Sequence, residues 1–130
     1  MIVGIDHIEI IVRDVEEYVA FYEKMGFKLL RWTDHHGRSA ELQLPGDNQP
    51  IIEIHTVVGE ENPGINHISY RCQDIDSTYD DFKAKGLPMT KPKASDTGRK
   101  NAHMRDPDGW RLQFSDTVRG EIPGNQEVAS

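Results

Sequence analysis

"GIDHIEIIV" at residues 4–12 returns, with substitutions, as "GINHISYRC" at residues 64–72. Both stretches read as β-strands, because apolar and β-branched residues alternate with others at period two. In the first, Ile8, Ile10 and Val12 share a face and His7 points the other way; in the second, Ile68, Tyr70 and Cys72 share a face and His67 points the other way. The two histidines stand 60 residues apart. An internal repeat of this size decides architecture more firmly than any single motif.

Followed outward, the same offset governs most of the chain. Asp14 opens "DVEEYVAFYEKMGF" and Asp74 opens "DIDSTYDDFKAKGL", and the stretches close at Gly26 and Gly86. An Asp before an apolar period and a Gly after it are the start and stop signals of a helix. Val15, Val19 and Tyr22, matched by Ile75, Tyr79 and Phe82, give each helix one stripe to bury. Strand-like segments follow at roughly 27–33, 39–44 and 51–57, and again at roughly 88–93, 99–105 and 110–115, with turns at "LPGDNQP" and "DPDGW". The sequence therefore predicts an α+β fold of two tandem βαβββ modules, whose curled mixed sheets enclose a cavity. One domain spans 1–130, with module one at about 2–58, module two at about 64–116 and an irregular tail over 117–130.

Composition agrees with a single compact domain: 130 residues, 36% hydrophobic, suffice for one real core and not for two ordinary domains. No window approaches the roughly 18 apolar residues of a membrane span, and the secretory order of basic, apolar and small residues is missing from the start. A lone cysteine, Cys72, excludes an internal disulfide and a thiolate zinc cage. The expectation is a soluble, cytoplasmic protein. A net charge of −7 argues against nucleic acid or an anionic membrane as partner and favours a small molecule.

Alternation also assigns the last strand of each module. Ile52 and Ile54 share a face, as do Leu112 and Phe114, which leaves Glu53 and Gln113, again 60 apart, on the face of the histidines. Four ligand-type side chains thus converge if the two sheets curl together. A core-facing carboxylate without a cation or donor is very costly. Two imidazoles, a carboxylate and an amide oxygen suit one divalent ion such as Zn²⁺, Ni²⁺, Fe²⁺, Mn²⁺ or Co²⁺, with positions open to water or substrate.

The duplicated plan, with "DHIEIIV", "FYEKMGF", "NHISYRC" and "DPDGWRLQF", resembles the vicinal oxygen chelate superfamily over residues 2–116. That group includes glyoxalase I, methylmalonyl-CoA epimerase, extradiol dioxygenases, fosfomycin-modifying enzymes and bleomycin resistance proteins. The resemblance implies a metal held through the first and last strands of each module, at His7, Glu53, His67 and Gln113. Family members often carry Glu where this chain has Gln113, and an amide cannot accept a proton. Glu53 is then the candidate catalytic base. The implied chemistry is that of a glyoxalase- or epimerase-type lyase or isomerase, acting on a small oxygenated molecule through a metal-stabilised enediolate. Two alternatives stay open. An extradiol-type dioxygenase would want its carboxylate at the last strand, and a metal-free binding protein of bleomycin-resistance type would not want a full ligand set.

His55, two residues beyond Glu53, reads as an orienting group, an alternative base or a solvent-facing strand residue; Gln43 and His103, 60 apart, read as pocket lining or polar rim. "DHHG" at 34–37 and the lysines at 83, 85, 91 and 93 read as scaffold and surface. Open sheet edges need covering by the other module or by a second chain. With the habit of small two-module relatives, this predicts a C2 homodimer.

Overall fold

The computed structural model describes residues 1–34, 36–94 and 99–117. Along the chain run β1 (Ile2–Val12), α1 (Val15–Lys24), β2 (Lys28–Thr33), β3 (Ser39–Gln43), β4 (Ile51–Thr56), β5 (Gly64–Cys72), α2 (Ile75–Ala84), β6 (Lys93–Ala94), β7 (Lys100–Arg105) and β8 (Arg111–Ser115). The strands form one sheet in the order β2-β3-β4-β1-β5-β8-β7-β6. Read from its centre, that order is the same in both directions: β1 and β5 meet antiparallel, each flanked by a parallel partner, β4 or β8. The modules therefore close on each other within one chain, and the edges of β1 and β5 are satisfied internally.

Local signals act as expected from the sequence. The Asp14 carboxylate accepts from Glu17 N at 3.1 Å and that of Asp74 from Asp76 N at 3.0 Å, satisfying amides that a helix start leaves without partners. Just past the helix ends, Gly26 and Gly86 take φ of 103° and 78°, a region that side chains disfavour. Each helix buries its stripe against its own module. One core gathers Val12, Val15, Val19, Ala40, Leu42, Ile52 and Ile54; the other gathers Cys72, Ile75, Met89, Ala102 and Phe114.

One strand falls short of expectation. The segment read as 88–93 reduces to Lys93–Ala94, because Pro88 and Pro92 lack the amide donors a ladder needs. Thr90 keeps a fragment of it, donating its amide to His103 O at 2.8 Å. From residue 118 the expected irregular tail lies outside the described residues.

Candidate metal centre and active site

With most apolar side chains of β1, β4, β5 and β8 turned to the helices, the other face of the sheet carries most of the polar residues. Register aligns them in rows. Glu41, Glu53, Glu9 and His67 stand side by side across β3, β4, β1 and β5. Beside them, His7 pairs with Ser69, Ser69 with Gln113 and Gln113 with His103. Most of this face is buried: His7 and Glu53 are each 1% exposed and His67 is 7% exposed.

His7 and His67 come together. Their Nε2 atoms face each other at 3.4 Å, with the rings edge to face. What holds them is a feature that alternation alone does not reveal. The register of β1 against β5 slips at Asp6 and again at Asn66, the residues just before the two histidines. Such bulges re-aim a side chain that would otherwise lie on the opposite face. Asp6 Oδ2 sits 2.8 Å from His7 Nδ1, and Asn66 Oδ1 sits 2.7 Å from His67 Nδ1. Since both oxygens accept, each Nδ1 is assigned the proton and each Nε2 turns its lone pair inward.

Two neutral imidazoles would then oppose lone pairs, an arrangement that a cation between them stabilises. Ligands about 2.0–2.1 Å from a tetrahedral ion lie roughly 3.4 Å apart, which is the spacing seen. The residues present fit a divalent metal. Gln113 Nε2 donates to Asn101 Oδ1 at 3.4 Å, which leaves its carbonyl oxygen as the atom to offer a cation.

Glu53 belongs to a second gathering. One donor atom each from Glu9, His36 and Glu53 lies within 4.8 Å of the others, and no trio containing both His7 and His67 is that tight among the described residues. Glu9 is the hub of this corner. Its carboxylate is 3.1 Å from His67 Nδ1, 3.6 Å from His55 Nε2 and 3.7 Å from His36 Nε2. Burial acts to raise its pKa, but hydrogen bonds from His55 and His67 outweigh that and hold it well below the usual carboxylate range. For His55, burial opposes the cation, while Glu9, the Thr56 carbonyl and Glu61 prevail and push the pKa up to about 8. The solvent-facing reading of His55 is corrected: the ring is 2% exposed, its Nδ1 donating to Thr56 O at 2.8 Å. Asp6 follows the logic of Glu9, with burial outweighed by His7 and Arg71 so that its carboxyl stays below its ordinary value.

The remaining expected pocket residues take distinct places. Gln43 donates to Gln49 O at 2.7 Å and so ties down the "LPGDNQP" turn. His103 Nε2 accepts from Arg111 Nη2 at 2.9 Å; burial and then the arginine charge lower its pKa. His36, read as scaffold, stands 5.2 Å from His55 ring to ring, and its neighbour His35 is outside the described residues. Sequence reasoning passed over Glu9, although its place two residues after His7 on the same face was visible. It also passed over Asp6 and Asn66, which only the bulges turn inward.

A palindromic sheet of paired βαβββ units around a histidine-lined polar face defines the glyoxalase-like class of proteins. The chain belongs to the Glyoxalase/Bleomycin resistance protein/Dioxygenase superfamily, whose family model matches residues 4–114. A lactoylglutathione lyase of Schizosaccharomyces pombe is 25% identical over 83% of this chain, and the chain spans 43% of that protein's length. Methylmalonyl-CoA epimerase from Mycobacterium tuberculosis has a similar structure, with a TM-score of 0.69 at 20% identity, covering 88% of this chain and 87% of that one. A methylmalonyl-CoA epimerase from Streptomyces coelicolor also gives 0.69, at 21% identity, over 95% of this chain and all (100%) of that one. The likeness to both structures is one of fold, an open, curled mixed sheet.

Proposed function

We propose that this protein is a metal-dependent lyase or isomerase of glyoxalase or epimerase type, acting on a small oxygenated molecule. The observation that carries this reading is the pair of imidazoles fixed through Nδ1 with their Nε2 atoms 3.4 Å apart. His7, Glu53, His67 and Gln113 would hold the ion, all from one chain. A bound divalent cation supplies Lewis acidity to adjacent substrate oxygens. Asp6 and Asn66 orient the imidazoles, Glu9 keeps negative charge beside them, and Glu53 moves the proton, being the carboxylate among the four ligands. The buried surroundings strengthen each of these electrostatic contacts by excluding water.

A second placement of the ion is favoured by the proximity of Glu9, His36 and Glu53. Elemental analysis of protein purified without chelators separates the two. About one equivalent is expected, lost in His7→Ala and His67→Ala and kept in His36→Ala. The opposite pattern moves the ion to the Glu9 corner. Less than about a tenth of an equivalent, with no uptake of added Zn²⁺, Ni²⁺, Mn²⁺ or Fe²⁺, ends the metal reading. Turnover of methylglyoxal with a thiol, of an acyl-CoA epimer or of a catechol then distinguishes lyase, isomerase and dioxygenase. A protein without metal that still binds flat ligands would be the bleomycin-resistance-like alternative.

The reading also includes a C2 homodimer in the cytoplasm. The sheet exposes Ile5 and Ile65, at 38% and 59%, and α1 with its C-cap exposes Tyr18, Phe21 and Met25, surface that suits a second copy. Among the described residues no helix is long and apolar enough to cross a membrane. Sedimentation that shows a stable monomer near 14.8 kDa at full metal occupancy would remove the dimer.

A further inference from the structure

The 60-residue offset can be read for differences as well as matches. On the polar face of module one stand Glu9, Glu41 and Glu53; their equivalents in module two are Ser69, Asn101 and Gln113. In the opposite sense, Ile11, Ser39 and Ile51 of module one become Arg71, Arg99 and Arg111. Each of these carboxylates has been exchanged for a neutral polar group, and three neutral positions have become guanidinium. One face of one sheet is thereby split into an acidic wall and a basic wall, with the two histidines on the seam.

The basic wall has internal work for some of its charge. Arg71 binds Asp6 Oδ1 through Nε and Nη2 at 3.2 and 3.1 Å, and Arg99 Nε donates to Ser115 Oγ at 3.0 Å with Nη2 4.0 Å from Asp6. Arg111 differs. Among the described residues no carboxylate lies within ion-pair distance of it, and its side-chain partner is the neutral Nε2 of His103. It precedes Gln113 by two residues on β8, on the same face and about 7 Å along the strand. Close by, Ser69 Oγ, buried between His7 and Gln113 in register, has no hydrogen-bond partner among the described residues.

We infer that the module-two wall, with Arg111 as its principal group, seats an anionic substituent, a carboxylate or a phosphate, of the molecule whose neighbouring oxygens lie at the histidine pair. The substrate class becomes a small oxygenated acid with its anion two or three bonds from the reacting oxygens, which suits the planar, bidentate fork of arginine. This rests on the proposed function only in taking His7 and His67 as the neighbouring subsite.

Isothermal titration of the full chain, with metal content measured on the same sample, compares 2-oxoglutarate with 2-oxopentanoate and glycerol 3-phosphate with glycerol. Within each pair the distal anion is the difference. At least one anion-bearing member binds about tenfold or more tightly than its counterpart, and the pair that responds tells carboxylate from phosphate. Arg111→Gln removes that preference without weakening the counterpart, and Arg111→Lys keeps part of it. Equal or undetectable affinities within both pairs on the unmodified protein overturn the inference without need of a variant, as does a preference that survives Arg111→Gln. A preference in metal-free protein leaves the anion seat standing and removes the metal reading. Full metal occupancy without a preference does the reverse.

Discussion

Module one and module two share a backbone plan and differ in what their inner faces carry. The first holds Glu9, Glu41 and Glu53 almost wholly out of water, at 5%, 0% and 1% exposure. Such charges are tolerable only where cations or donors meet them, and here Arg31 binds Glu41 while His36, His55 and His67 surround Glu9. The second holds neutral groups at the same three positions and arginines at others. A duplicated fold supplies geometry twice, but chemistry needs unlike partners. On the proposed reading, the first wall would serve proton transfer and the second recognition.

Four experiments break or sharpen that contrast. Glu53→Gln makes the first wall match the second at its central position, since the equivalent residue is already Gln113. Turnover should fall about 10²–10⁴-fold while the circular dichroism spectrum is unchanged. Near-normal steady-state rates would place the base elsewhere, at His55 or Glu41.

The cores are compared next. Phe114→Ala in module two should cost about 3–5 kcal/mol and Leu42→Ala in module one about 2–5 kcal/mol, both side chains being fully buried. Because β1 and β5 pair along nearly their whole length, urea denaturation should remain a single transition in either variant. Two separated transitions would mean that the halves unfold independently.

A smaller effect tests the anchors. Asp6→Asn gives His7 the amide that His67 already has, and chelator competition should then show metal held about 10–100-fold more weakly. Unchanged affinity would make Asp6 a partner of Arg71 alone. Smallest of all, Asp14→Ala and Asp74→Ala should each lower stability by about 1 kcal/mol in thermal melts. A clear inequality would show that the extra bonds around Asp74, whose carbonyl accepts from the Ser77 and Thr78 hydroxyls, share the capping role.

Much of the fold was legible because its determinants are local and written twice. Asp14 with Gly26, and Asp74 with Gly86, bounded the helices, and period two sorted Ile8, Ile10, Ile68 and Phe114 toward the helices. The same alternation placed the four candidate side chains, His7, Glu53, His67 and Gln113, on one face. What alternation cannot supply is a break in itself. Asp6 and Asn66 lie on the wrong face by counting, and only the bulges bring them to the imidazoles. His36 follows a strand end, so its approach to Glu9 is set by tertiary packing. The shortened β6 is a different miss, since Pro88 and Pro92 were in plain view and their missing donors outweighed the matching offset.

The position of β1 at the middle of the sheet has a consequence for how the chain comes off the ribosome. The earliest of the sheet's strands in chain order, Ile2–Val12, finds its ladder partners only in Ile51–Thr56 and Gly64–Cys72. Until those emerge, an apolar strand with two open edges waits in the growing polypeptide, closing loops of tens of residues before it is satisfied. The strand that carries His7 and Glu9 is therefore made before either of its neighbours and secured only when the second module begins. Slow, chaperone-sensitive maturation is the expected price of putting it there.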